Sequence, residues 1–163
     1  MAESAINASL REGADWRGLN HGAAEPMPDD IAKGTYRGEC HCGRVSFELR
    51  ARLGYALDCN CSLCRRRGAL WHAATDADLT ILSGESDLLL YQFNTMAAKH
   101  YFCRHCGIHP FARPRLDPSR WVVNLRCIDG VDLAAIPVQA FDGANWETAA
   151  RAFLEHSRRS LGA

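Results

Sequence analysis

Residues 35–49, TYRGECHCGRVSFEL, decide how the chain is read. A β-leaning run enters Cys40-His41-Cys42-Gly43, and beyond it Val45, Phe47 and Leu49 alternate with polar neighbours. A period of two marks a strand with one buried face, so the segment is expected to be a hairpin whose tight turn carries two thiols. Residues 101–111, YFCRHCGIHPF, repeat the arrangement, with Cys103-x2-Cys106-Gly107 between β-formers. A glycine follows the last cysteine of both turns. Backbone amides must swing toward the sulfurs there, and Gly adopts the left-handed conformation this needs without steric cost.

Outward from these turns the text stays strand-like. LWHAA (70–74), LTILSG (79–84), LLLYQFN (88–94) and KHYFC (99–103) are short apolar runs separated by Asp, Gly and Ser. RWVVNLRCI (120–128) reads as a further strand, with Val123, Leu125 and Cys127 on one face and Asn124 and Arg126 on the other. DLAAI (132–136) can form one helical turn. Asn145 can cap a helix over 146–160, whose Ala150, Phe153, Leu154, Ser157 and Leu161 form one stripe for packing. Residues 1–33 show no periodicity and end in a stretch rich in Pro, Gly, Ala and Asp; a short helix at 3–10 would be marginal alone. The expected organisation is therefore a partly disordered extension (1–33), a mainly β domain (34–147) and a C-terminal helix packing on it (148–163).

The chain has 163 residues, 47% apolar and 23% charged, enough for one domain with a real core. No apolar run approaches the about 18 residues of a membrane span. The N-terminus lacks a charged head followed by an apolar block, so cytoplasm is the expected location. Nineteen basic side chains balance nineteen acidic ones, which argues against a polycation that holds nucleic acid by neutralising phosphates.

Eight cysteines in a chain of that compartment point to metal rather than disulfides. They fall as Cys40-x-Cys42, Cys59-x-Cys61-x2-Cys64 and Cys103-x2-Cys106, with Cys127 alone. Such short spacings let neighbouring thiolates converge on one ion. Seven divide naturally into four plus three. The two hairpin-turn pairs look alike and would close a four-thiolate site, although Cys61 and Cys64 could replace either pair by spacing alone. Four thiolates around zinc leave no position for substrate, whereas three leave one open.

The segments GECHCGRVSFEL, CNCSLCRRRGALW, YFCRHCGIHPF and VNLRCIDGVDL…FDGANWE resemble the glutathione-dependent formaldehyde-activating enzyme family, which also includes centromere protein V. The likeness runs from about Gly34 to Glu147 and includes every cysteine of the three motifs. It implies a β-tent of curved antiparallel sheets, a structural zinc on Cys40, Cys42, Cys103 and Cys106, and a second zinc on Cys59, Cys61 and Cys64. It also implies carbon–sulfur lyase chemistry of the S-(hydroxymethyl)glutathione synthase type. A thiol such as glutathione would bind at the open second zinc and add to, or leave, formaldehyde or a related carbonyl compound. The competing expectation is a zinc-stabilised thiol carrier, or a module that binds protein or nucleic acid without catalysis.

Other residues are weighed against that scheme. Arg65 and Arg66 are the expected substrate-binding cations, able to take carboxylates in bidentate contacts, while Arg67 is the weakest candidate of the run. The bland alternative for all three is a solvated basic turn. His72, eight residues beyond Cys64, is the nearest histidine that could complete the second metal set; His100, His105 and His109 also lie in the domain, and His41 and His105 sit inside the turns, where side chains face solvent. Cys127 reads as a buried small hydrophobe. Asn124 and Arg126 line a pocket or a solvent edge, and Trp71 and Phe111 belong to the core.

Overall fold

The alternation in residues 35–49 folds as two paired strands. The computed structural model describes residues 32–161, with side chains to Glu155, so most of the N-terminal extension and its short helix lie outside the described residues. Strand β1 (Gly34–Glu39) pairs antiparallel with β2 (Ser46–Ala51), placing Gly38 opposite Phe47. Strand β5 (Leu79–Ser83) joins the other edge of β2 to complete a three-stranded sheet. Val45, Phe47 and Leu49 are fully buried, as the period of two predicts.

The second sheet has seven strands in the order β10-β3-β4-β9-β8-β7-β6. Its members are β3 (Ala56–Cys59), β4 (Leu70–Ala74), β6 (Leu88–Tyr91), β7 (Lys99–Cys103), β8 (Phe111–Arg113), β9 (Trp121–Asn124) and β10 (Val138–Phe141). Every pairing is antiparallel except that of β10 with β3, which is parallel and sets Ala140 beside Asp58. The main core joins both sheets: Phe47 meets Phe111 edge to face at 5.7 Å, among Leu49, Val123 and Leu125.

A four-residue helix, α1 (Cys64–Arg67), follows β3 and ends at Gly68. The terminal helix α2 (Trp146–Leu161) buries Ala150 and Phe153 against Leu57, Trp71 and Leu116, with Leu154 half-buried beside them. Complete burial of Phe153 is worth about 2–3 kcal/mol of apolar transfer. Ser157 and Leu161, the far end of the expected stripe, have side chains outside the described residues. Asn145 belongs to a 3-10 turn (Gly143–Asn145) ahead of the helix, and its amide donates to Asp142 Oδ2 at 2.9 Å. The chain is thus mainly β with a C-terminal helix.

One strand differs from its expectation. β9 stops at Asn124, and Leu125–Cys127 form a 3-10 turn. Asn124 causes the break. Its Oδ1 accepts from Arg126 N at 3.2 Å and Leu70 N at 3.3 Å, and its Nδ2 donates to His109 O at 3.2 Å. A carboxamide satisfied on three sides sits inside the protein, so Val122, Val123, Asn124 and Leu125 are all buried and two-sided alternation ends. Asn124 is therefore neither a pocket wall nor a solvent edge. Arg126 leans outward and donates to Gly68 O at 2.7 Å.

Candidate metal centres and the adjoining cleft

The thiol-bearing turns of the two sheets meet. The sulfurs of Cys40, Cys42, Cys103 and Cys106 all lie within 4.8 Å of one another. Cys40 and Cys42 come from the β1–β2 turn, Cys103 and Cys106 from the β7–β8 turn. The two turns share one backbone frame: Cys40 N donates to Val45 O and Cys103 N to Ile108 O, both at 2.9 Å. Gly43 and Gly107 take φ of +72° and +73°, the left-handed values expected of them. Val45 N also donates to Cys40 Sγ at 3.4 Å.

Sulfurs bound to one tetrahedral zinc at about 2.3 Å would stand about 3.8 Å apart. Cys40–Cys42 and Cys42–Cys103 are 3.5 and 3.7 Å, so the donor set fits such an ion. Without a cation the set is strained electrostatically: burial, reinforced by the neighbouring thiols, pushes Cys40 up to about 12. Cys127 lies outside the set. Burial and the nearby Cys40 and Cys106 push its thiol up to about 12, which suits an inert, protonated side chain.

The second group is Cys59, Cys61 and Cys64, again with sulfurs within 4.8 Å. Cys59 ends β3, Cys61 lies in the turn and Cys64 opens α1. Cys64 N donates to Cys61 Sγ at 3.3 Å, and Trp71 Nε1 donates to Cys64 Sγ at 3.3 Å. Hydrogen bonds with Cys59 and Cys64 hold Cys61 well below the usual thiol range, while those with Cys59 and Cys61 drive Cys64 far above it. Three thiols so close release one proton readily and resist losing the rest, unless a cation shares the charge. The donor set suits zinc or another soft ion.

Among the described residues, no histidine or carboxylate joins this group. His72 is buried elsewhere, with Nδ1 at 3.1 Å from Tyr55 O, and burial lowers its pKa. His105 is exposed and pairs with Asp87 at 2.8 Å, and His41 is exposed. His109 is held down to about 3 by burial, then by His100 and Arg67.

A loop after β10 presses on the three thiols. A Cβ on Gly143 would lie 2.5 Å from Cys59 Sγ and 2.9 Å from Cys61 Cβ, so only glycine lets the backbone approach this closely. Asn60, between the first two cysteines, fixes the loop. Its Nδ2 donates to Asp142 Oδ1 and its Oδ1 accepts from Ala144 N, both at 2.8 Å.

The three thiols open onto a cleft of about 610 Å³. Cys59, Cys61 and Cys64 all line it, whereas none of the four-thiol group does. Leu57, Trp71, Val122 and Phe141 come from the larger sheet, Phe93 from the β6–β7 loop, and Trp146 from the start of α2. Arg65 lines the cleft. Arg66 donates to Ser62 O at 2.5 Å and Arg67 to Gly107 O at 2.9 Å, and neither is a lining residue. His100, 9% exposed, is also on the wall, and burial lowers its pKa. Asn60, Phe93, Arg115 and Gly143 were not singled out by sequence reasoning, and His100 was weighed only as a metal ligand. Asn60 and Gly143 carried a signal, each lying within a motif of the resemblance.

A fold in which two thiol-bearing turns clasp one set of four sulfurs, with a second set of three at a cleft, defines a cysteine-rich protein suited to metal. The family model for the glutathione-dependent formaldehyde-activating enzyme matches residues 35–142, and the chain belongs to that family. A Halomonas elongata protein whose name carries the same description is 29% identical, over 46% of this chain and 62% of its own length. The chain thus spans less than two thirds of that relative. The crystal structure of a Rhodobacter sphaeroides protein superposes with a TM-score of 0.58 at 40% identity, covering 63% of this chain and 99% of that one. Among the described residues, no helix is long and apolar enough to cross a membrane.

Proposed function

We propose that residues 34–147 form a β-tent domain holding two zinc ions: one structural, on Cys40, Cys42, Cys103 and Cys106, and one on Cys59, Cys61 and Cys64. On this reading the protein joins a thiol, glutathione or a similar one, to formaldehyde or a related carbonyl compound, or reverses that step as a carbon–sulfur lyase. The observation that carries it is the asymmetry of the two sulfur sets. The four-thiol set is complete in itself, while the three-thiol set faces a cleft and has no fourth side chain among the described residues.

Zinc bound to three thiolates supplies one further position for a thiol sulfur and favours its thiolate form. The chain's own residues provide the rest. Apolar walls around the cysteines keep water from the carbonyl carbon and hold it near the sulfur. Addition forms a C–S bond; the carbonyl π pair moves to oxygen, which takes up a proton, and lysis runs this backwards. Arg65 and Arg66 are the proposed carboxylate-binding cations, with Arg65 on the cleft wall. All eight cysteines are free, in keeping with a reducing compartment such as the cytoplasm.

Metal analysis combined with X-ray absorption at the zinc edge, before and after glutathione, tests the proposal. Two ions per chain are expected, with average sulfur coordination rising when the thiol binds. Two ions whose coordination ignores every thiol would instead favour a zinc-stabilised binding module, and thiol binding without conversion of formaldehyde would favour a carrier.

A further inference from the structure

The cleft is far larger than a formaldehyde molecule of two heavy atoms requires, and its walls say what else it takes. Leu57, Trp71, Val122, Phe93, Leu116 and Phe141 give it an apolar interior. Phe93 is oriented by stacking on Tyr91 at 5.7 Å and His100 at 5.8 Å, each with planes 22° apart. The ring is only half-buried and lines the cleft, so the part its two neighbours leave open can meet a second ring.

Charge in the cleft is sparse and mostly committed. Arg115 lies 3.6 Å over the Trp146 ring and pairs with Glu147 at 3.3 Å. Asn60 is spent on the loop at Asp142 and Ala144. Arg65 is left as the lining cation with no side-chain partner among the described residues. Glutathione brings two carboxylates and an ammonium, of which Arg65 can answer one carboxylate. Glu147, also on the wall, could meet the ammonium only by giving up Arg115, and the second carboxylate has no uncommitted cation left to meet it.

Resting on the reading of the three-thiol site given above, we propose that the cleft beside Cys59, Cys61 and Cys64 selects a partner with an apolar, ring-sized body and a single carboxylate, in preference to glutathione. The ring lies among Phe93, Leu116 and Phe141, and the carboxylate meets Arg65. Apolar contact supplies the affinity and the single ion pair fixes orientation.

The test uses the zinc-loaded full chain and three thiols: 4-(sulfanylmethyl)benzoate, glutathione and 2-mercaptoethanol. Calorimetry gives their affinities, and the thiolate-to-metal charge-transfer band of the cobalt-substituted protein reports sulfur coordination. A fourth probe, 3-phenylpropionate, has no sulfur and is followed by NMR shifts of the cleft residues. The benzoate thiol is expected to bind at least tenfold tighter than glutathione. Phe93→Ala and the gentler Phe93→Leu should erase that margin while 2-mercaptoethanol binds unchanged, and Arg65→Ala should weaken both carboxylate-bearing aryl probes several-fold. Glutathione binding as tightly as the benzoate thiol, with both altering the band, overturns the preference and leaves the three-thiol reading intact. Phenylpropionate shifting the cleft resonances while no thiol alters the band supports the preference and refutes that reading. A cleft that ignores phenylpropionate overturns the preference whatever the thiols do.

Discussion

Gly143 stands against Cys59 so closely that a single added methyl would come to 2.5 Å from the Cys59 sulfur. That contact is well inside van der Waals distance, and the sulfur must yield because Cys61 blocks the other side at 2.9 Å. Gly143→Ala should therefore spoil the three-thiol set while sparing the four-thiol set. If each sulfur set holds one ion, as proposed, metal analysis is expected to fall from two ions per chain to about one, with the circular dichroism of the sheets retained. A variant that kept both ions would show that the loop yields instead of the sulfur.

Asn60 joins the cysteine turn to that loop through two hydrogen bonds of 2.8 Å. Asn60→Ala should cost about 2 kcal/mol, at about 1 kcal/mol for each bond, read from urea unfolding. Asn60→Asp should be no better. It keeps an acceptor for Ala144 N but sets a carboxylate against Asp142.

Cys103 is fully buried and ties the β7–β8 turn of the larger sheet to the β1–β2 turn of the smaller one. Chelation, or Cys103→Ala, should loosen the join between the sheets and lower the thermal midpoint by more than 10 °C, since metal binding and folding are linked. Cys64→Ala, at the cleft, should cost much less. Equal losses from the two substitutions would count against a structural role confined to the four-thiol set.

His109 is 4% exposed, and neither of its ring nitrogens has a hydrogen-bond partner among the described residues. Its folded pKa, about 3, lies below the ordinary 6.5. Between those values the unfolded chain binds a proton that the folded chain refuses. Stability is then full above about pH 6.5 and falls as the pH drops toward 3, by up to about 1.4 kcal/mol per pH unit for this group. His109→Phe should flatten that slope relative to the natural chain in denaturant melts between pH 7 and 4. Parallel slopes would mean that other groups carry the acid sensitivity.

Arg65 and Arg66 separate by geometry, since Arg66 is occupied with Ser62 O and Arg65 lines the cleft. Arg65→Ala alone should weaken a carboxylate-bearing thiol by roughly tenfold, the worth of one charge-assisted contact. Adding Arg66→Ala should change this by less than twofold. A double variant with unchanged thiol affinity would return both residues to the status of a solvated basic turn.

The separate cysteine turns were legible in the sequence because their logic is local: cysteines two or three apart must share a turn, and the glycine after Cys42 and Cys106 shows where the backbone reverses; which turns combine was not, since by spacing Cys61 and Cys64 could replace either pair. The hairpin at 35–49 was readable for the same reason. β3 and β10 were not, each being four residues long and paired across 82 positions. Asn124 misled the reading of β9 because its identity suggests a surface, while the Leu70 and Arg126 amides and the His109 carbonyl make it a buried joint. The cleft was invisible since it gathers Leu57, Phe93, Leu116 and Phe141 from four separate segments. Spacing reveals what a turn must hold, but not what distant segments enclose.

The hydrogen bond from Trp71 to Cys64 also places an indole chromophore directly on a sulfur of the cleft. Excited indole loses energy readily to a neighbouring sulfur and responds to a change in that sulfur's bonding. The protein thereby carries its own lamp at the working end, and oxidation or capping of Cys64 can be followed in real time by emission, with no label attached.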